Sequence, residues 1–180
     1  MNINQLKITK FDTITSTQDY AIDIINHNNS ISEDILITAK VQTNGRGRLR
    51  QRTWISEEGN FHGSYIINIE KLGISINEIS IINIKILISL MKFLRDNVTY
   101  NNLIQTKLPN DIYYNDKKLA GVLTEIIYPY AIIGIGINVN TSPLDTSISI
   151  KEIINTCHVD CINYTMLYKI IIDNLTNINN

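Results

Sequence analysis

Apolar and polar positions along the chain mark out a succession of short elements. Residues 6–12 (LKITKFD) read as a strand. Ser16 stands before an apolar-periodic stretch that runs to about His27, and its hydroxyl suits the orphan amides of a first helical turn, so a capped helix is expected. Residues 35–41 return to a strand pattern. Residues 43–60 are polar, with three Gly and four Arg, and form no core element. Residues 64–69 read as a strand. Over residues 77–95, Ile79, Ile82, Ile86, Leu90 and Leu94 recur near a 3.6-residue period and predict a helix. Three strand patterns then lie close together, at 111–114, 118–127 and 130–139. Asn115-Asp116 and Tyr128-Pro129 punctuate them, which predicts an antiparallel meander. Residues 151–156 and 164–176 have helical character. Helices and adjacent antiparallel strands segregate, so the class is α+β.

Composition narrows the picture. The 180 residues suit one domain, and 44% hydrophobic residues suffice for a proper core. At 18%, charged residues are too few for charge-driven disorder. A net charge of −1 excludes polyanion binding by bulk charge. The 38 Ile and 23 Asn fit A/T-rich codon usage, so neither type is by itself a functional signal. The most apolar stretch, residues 74–94, is broken by Asn77, Glu78, Asn83, Lys85 and Lys92, which predicts a buried helix and not a membrane span. The first residues carry no secretory-signal pattern. Cys157 and Cys161 flank His158 in CHVDC. Three such groups fall short of the four a structural zinc takes, so two reduced cytosolic thiols are the favoured reading.

Candidate chemistry concentrates in four blocks. In QTNGRGRLRQRTW (42–54), Arg46, Arg48, Arg50 and Arg52 alternate with no acid nearby. Crowded like charges call for an anion, and Gly45 and Gly47 allow a loop to close on a phosphate or carboxylate. Trp54 could stack on a base or an arginine. A solvated basic loop and a nucleic-acid contact are the alternatives. The glycine spacing matches neither a phosphate-binding P-loop nor a dinucleotide fingerprint. In TKLPNDIY (106–113), Pro109 stiffens the backbone before Asn110 and Asp111, which suits ligand or metal positioning, or equally a plain turn. In DKKLAG (116–121), Lys118 opens an apolar strand; alternation puts it on one face with Ala120, opposite Leu119, where it could meet an anion or simply end a hairpin. In IIGIGINVN (132–140), Gly134, Gly136 and Asn138 share a face, a sign of close approach by a ligand or of tight packing.

Together these blocks resemble the biotin protein ligase family. Ser16-Thr17-Gln18 is similar to its Ser-Thr-Asn helix start. Gly45 to Arg48 with Arg52 and Trp54 resembles its GRGRxGRxW loop, Lys107 to Tyr113 its KWPNDIY, Lys118 to Gly121 its KLAG, and Gly134 to Asn140 its GIGINVN. The match runs from about residue 6 to residue 140. The resemblance implies a mixed, largely antiparallel sheet flanked by helices, of the class II aminoacyl-tRNA synthetase-like kind. It implies ATP-dependent activation of biotin to biotinyl-AMP, then transfer to a lysine of a biotin carboxyl carrier domain, in the cytoplasm, with Mg²⁺ held mainly by phosphates. DNA and membrane are not among the expected partners, and a homodimer is left open.

The resemblance also implies roles. Lys118 and Arg48 would be the catalytic cations. Ser16, Thr17, Gln18, Gln42, Arg46, Gly47, Arg48, Lys118 and Gly121 would line the biotin side. Arg48, Arg52, Trp54, Asn110, Asp111 and Asn138 would line the ATP side. Three departures stand out: Leu108 replaces the family's Trp, residues 49–53 are one residue longer than usual, and His62 replaces a Tyr. A helix-turn-helix before Ser16 and the family's terminal barrel are not recognised, so residues 1–180 are expected to form a single catalytic domain. The competing expectations are a degenerate member that binds biotin with little transfer, a lipoate or octanoate transferase, and a nucleic-acid binder.

Overall fold

The computed structural model describes residues 6–28, 30–48, 53–75, 78–98, 103–157, 159–160 and 162–176. In chain order the elements are β1 (Leu6–Ile14), α1 (Thr17–His27), β2 (Asp34–Gln42), β3 (Gly45–Arg46), β4 (Thr53–Trp54), β5 (Phe61–Asn68), α2 (Ile79–Asn97), β6 (Ile104–Lys107), β7 (Asp111–Tyr114), β8 (Lys117–Ile127), β9 (Tyr130–Ile137), α3 (Ile150–Ile153) and α4 (Tyr164–Thr176). Seven strands form one sheet in the order β1-β2-β5-β9-β8-β7-β6. Only β1 and β2 pair in parallel, across the α1 crossover; the other neighbours are antiparallel. The expected meander is present as β7, β8 and β9.

The elements form where local chemistry favours them. Ser16 caps α1 by accepting the Asp19 N–H at 3.2 Å. On α2 the periodic positions Ile82, Ile86, Leu90 and Leu94 are fully buried. Ser149 and Glu152 cap each other's backbone around the start of α3. This helix ends at Ile153, short of the expected 156, and Asn155 adopts φ +50° just beyond it. Two features depart further from the sequence reading. Residues 43–60 contain a two-stranded ribbon, with Gly45 opposite Trp54 and Arg46 opposite Thr53. β6 is an edge strand with three exposed residues out of four, so it shows little apolar pattern.

The two faces of the sheet differ. One carries the main core: Phe61, Tyr65 and Ile67 of β5 and Ile133, Ile135 and Ile137 of β9 pack with α2 and α4. The other is apolar only under α1, where Ala21 and Ile25 meet Ile37, Ile66 and Ile132. Along β9 that second face then changes from Tyr130 and Ile132 to Gly134 and Gly136, and beside it β5 changes from Ile66 to Ser64 and His62. The core stops there, and an open space begins.

Helix α4 is tied to the sheet by a buried polar pair. Tyr168 donates its hydroxyl proton to Asp34 Oδ2 at 2.5 Å, and Asp34 is 3% exposed. Burial pushes the Tyr168 phenol up, and the Asp34 carboxylate adds to the shift, so the phenol stays a donor. The only other bond to that carboxylate among the described residues is the Asn68 N–H at 3.3 Å. Tyr168→Phe leaves a buried carboxylate short of a donor, and it should cost about 1–3 kcal/mol in urea unfolding. An unchanged midpoint would show that the pair contributes nothing to stability.

Candidate functional site

The space over the glycine-bearing face is a cavity of about 480 Å³. Its floor is β5, β9 and β8, where Ser64 pairs with Gly134, His62 with Gly136, and Gly121 with Gly136. The start of α1 and residues 42–48 form one wall, Trp54 and Ile55 a second, and residues 143–147 a third.

The two glycines admit side chains from outside the sheet. A Cβ on Gly134 would stand 2.6 Å from Gln18 Oε1, and one on Gly136 would stand 2.5 Å from the Trp54 indole. Both distances are below contact, so any larger residue displaces these groups. Trp54 lies against the strand here, with its ring edge-on to His62 at 6.4 Å between centroids. Its Nε1 is buried without a partner among the described residues. Burial pushes the His62 ring down to about 4, against the backbone groups of Ala39 and Lys40, so the ring is neutral. His62 also bonds Ser56 Oγ at 3.1 Å, and Ser56 accepts the Gln42 N–H at 2.8 Å.

One end of the cavity is a polar wall. Thr17 donates its N–H and its hydroxyl to Gln42 Oε1 at 2.8 and 3.1 Å. Thr17 Oγ1 faces Ser64 Oγ at 2.9 Å, and Ser64 donates to Gln18 Oε1 at 3.0 Å. Gln18 Nε2 donates to Glu125 at 2.8 Å. Arg46 donates both terminal nitrogens to Glu125, at 2.7 and 3.0 Å, and one of them to Asp19 at 3.0 Å. Burial works against the Arg46 charge, but Glu125 and Asp19 outweigh it and hold the guanidinium above its usual value. The anion that Arg46 needs is therefore supplied by the protein itself. For Arg46, that corrects the expectation of an arginine awaiting a ligand; Arg50 and Arg52 lie outside the described residues.

The other end is cationic. Lys118 Nζ pairs with Asp111 Oδ1 at 2.7 Å and stands 5.5 Å from the centre of the Trp54 ring. Asn110 Nδ2 donates to the same Asp111 oxygen at 3.1 Å. Simple alternation had put Lys118 with Ala120, and the structure overturns this. The register shifts between Ile112, opposite Ala120, and Tyr113, opposite Lys118, so Leu119 is an extra residue on β8. Leu119 and Ala120 both turn into the core, and Lys118 joins Gly121 on the cavity side. A Cβ on Gly121 would stand 3.3 Å from Lys118 Nζ. Residues 146–148 pin the Lys118 backbone: its N–H donates to Thr146 O at 2.9 Å, and its carbonyl accepts the Ile148 N–H at 3.0 Å. Asn138 Nδ2 donates to the same carbonyl at 3.2 Å, while Asn138 Oδ1 is buried and unpaired among the described residues.

Of the residues singled out in the sequence, Thr17, Gln18, Gln42, Arg46, Gly47, Arg48, Trp54, Asn110, Asp111, Lys118, Gly121 and Asn138 all line this one cavity. Ser16 does not; its hydroxyl caps α1. Arg52, with the lengthened stretch 49–52, lies outside the described residues, as do His158 and Cys161. Cys157 is exposed and free. Leu108 is 67% exposed and does not line the cavity. Sequence reasoning missed Glu125 as a site residue, although an acid inside the apolar run GVLTEII was a signal. It also missed Thr146 and Ser147, which no motif marks.

Fold and cavity together define an α+β protein whose ligand-type pocket is built on a glycine-lined stretch of sheet. The sequence pattern of the biotin/lipoate A/B protein ligase family matches residues 10–140, and the chain belongs to that family. It is 35% identical over 147 residues to the bifunctional ligase/repressor BirA of Bacillus subtilis, covering 79% of this chain and 43% of that protein. The chain thus spans less than half the length of that relative. Biotin protein ligase from Leishmania major, solved with biotinyl-5-AMP, superposes with a TM-score of 0.75 at 25% identity, over 96% of this chain and 74% of the other. Biotin protein ligase from Aquifex aeolicus, with biotin and ATP, gives 0.69 at 26% identity, over 94% and 68%. Among the described residues no helix is long and apolar enough to cross a membrane.

Trp54 is the chain's single tryptophan, so its fluorescence reports its seat over Gly136. Gly136→Ala should expel the indole and shift its emission to longer wavelength, at a cost of roughly 1–3 kcal/mol in stability. An unshifted emission maximum would mean that the ring does not rest on this strand.

Proposed function

We propose that this chain is the catalytic part of a biotin protein ligase. It activates biotin with ATP and transfers the biotinyl group to a lysine of a biotin carboxyl carrier domain, in the cytoplasm. The observation that carries the reading is the two-ended cavity: a polar wall of Thr17, Gln18, Gln42 and Ser64 stands at one end and Lys118 at the other, and Arg48 also lines the space. A bicyclic urea with a carboxylate tail presents the matching chemistry at its two ends. An apolar acid would leave the spare Gln42 Nε2 donor and Ser64 Oγ acceptor of that wall covered without a partner, which is costly. That argues against lipoate or octanoate as the preferred ligand, and a net charge of −1 argues against a nucleic acid.

The first step brings two anions together, so fixed cations must offset their repulsion. A biotin carboxylate oxygen attacks the α-phosphorus of ATP, the bond to the bridging oxygen breaks, and pyrophosphate leaves. Lys118 would exchange Asp111 for the carboxylate and the charge developing on the α-phosphate. Arg48, exposed at the cavity edge, would clamp the same anions and shield the mixed anhydride from water. In the second step a neutral lysine amine of the carrier attacks the acyl carbon, AMP leaves, and the amine releases its proton to solvent. Thr17, Gln18, Gln42 and the Arg46 backbone would hold the ring, with Ser16 acting through the helix start. The backbone at Gly47 and Gly121 permits close approach. Trp54, Asn110, Asp111 and Asn138 would face the nucleotide, as would Arg52.

A divalent cation fits the nucleotide end. Asp111 and the orphaned Oδ1 of Asn138 are the oxygen ligands that Mg²⁺ takes, and the described residues hold no cluster of three or more acidic, His or Cys ligands. Mg²⁺ would then be shared between these two residues and the ATP phosphates, whose charge it neutralises.

Calorimetric titration should show biotin binding more tightly than octanoate, and more heat should appear when Mg-ATP is added. Equal affinity for the two acids would overturn the biotin assignment. Lys118→Ala should slow pyrophosphate release about 10²-fold or more, roughly 3 kcal/mol, with a much smaller loss of biotin affinity. A rate equal to that of the unaltered protein would remove Lys118 from the chemistry.

A further inference from the structure

We infer that Glu125 is the residue that sets the hydrogen-bonding polarity of the ring-binding wall, and so its preference for a cyclic urea over an apolar acid. The inference rests on the reading of the cavity as a biotin site. Glu125 does not line the cavity; it acts through Gln18.

The argument is one of counting protons. A carboxylate only accepts, so the amide of Gln18 must turn Nε2 to Glu125 and Oε1 to Ser64. Ser64 then spends its one proton on Gln18 Oε1. Thr17 donates to Gln42 Oε1, which also takes the Thr17 N–H. Gln42 Oε1 is thereby occupied, and Gln42 Nε2, bonded to nothing among the described residues, is left as a donor. Ser64 Oγ, 2.9 Å from the Thr17 hydroxyl, has spent its proton and can only accept, with a lone pair to spare even where Thr17 donates to it. A wall offering both is the complement of a urea, whose carbonyl accepts and whose N–H groups donate. Arg46 makes the arrangement rigid, because its two nitrogens grip both carboxylate oxygens of Glu125.

Glu125→Gln keeps the shape and reverses the polarity. Arg46 Nη1 keeps Asp19, whereas Nη2 has no acceptor but Glu125 among the described residues, so the new amide turns its oxygen to Nη2 and its nitrogen to Nη1 and Gln18. Gln18 must then flip, presenting Nε2 to Ser64 and consuming the acceptor that the wall held out. Biotin affinity should fall at least about tenfold, while octanoate affinity should change less than about twofold, because an alkyl chain asks nothing of the wall. Gln18→Met should itself lower biotin affinity by a similar factor and spare octanoate. In that background Glu125→Gln should change biotin affinity less than about twofold, since the amide it acts through is gone.

Isothermal titration of the four proteins with biotin and with octanoate reads these effects, and the thermal midpoint without ligand checks the fold. Should Glu125→Gln fail to fold, Gln18→Met alone carries the test: no loss for biotin, or an equal loss for both acids, overturns the inference. A Glu125→Gln effect that is undiminished in the Gln18→Met background would assign Glu125 a role other than orienting Gln18. No biotin binding by the unaltered protein would overturn the reading of the cavity and the role of Glu125 with it. Biotin binding that Glu125→Gln leaves unchanged would overturn the role of Glu125 alone.

Discussion

A sheet face can be covered by a helix or left open for a ligand, and the switch between the two must be made by the strands themselves. In this protein it is made on β9. Tyr130 and Ile132 lie under α1, and two residues further along the same face the side chains end at Gly134 and Gly136. With nothing projecting from the strand there, Gln18 can reach across it towards Glu125, and Trp54 can lie flat on it. Helix α1 ends its apolar contact at this line and presents Thr17 and Gln18 at its first turn. The cavity, the polar wall and the seat of Trp54 all follow from two missing side chains.

The same space is electrically two-sided. At one end, Arg46 is held between two carboxylates, Asp19 and Glu125, and the three serve to hold hydrogen-bonding groups in place. At the other, Lys118 has a single carboxylate partner in Asp111. A cation held by one exchangeable partner is suited to meet an incoming anion; one gripped by two carboxylates is suited to be scaffold. This distinction separates Arg46 from Lys118, although both are basic residues of recognisable motifs.

Support for the site comes from the opposite side of the sheet and from its edges. The main core packs β5 and β9 against α2 and α4, and α4 is fastened by Tyr168 to Asp34 on β2. Residues 146–148 bond to the Lys118 backbone on both sides, which fastens the third wall to the strand that carries the lysine. The site is thus a surface of a rigid sheet and does not depend on loops alone.

Local patterning was enough to read much of this from the chain. The capped helix after Ser16, the period of α2, the meander of β7 to β9 and the shared face of Gly134, Gly136 and Asn138 are consequences of neighbours a few residues apart, and the structure contains each of them. The ordered motifs were likewise legible, because a ligand-binding backbone needs the same glycines and charges at the same spacing. What the pattern could not supply was anything set by residues distant in sequence. Arg46 looked like a cation awaiting a ligand because Glu125 lies 79 residues away. The face of Lys118 was misread because a bulge on β8 shows only in the register with β7. Leu108 carries no local mark of its exposure, yet it lies on the surface. Charge partners, strand register and burial are relations between segments, and they exist only once the chain has folded.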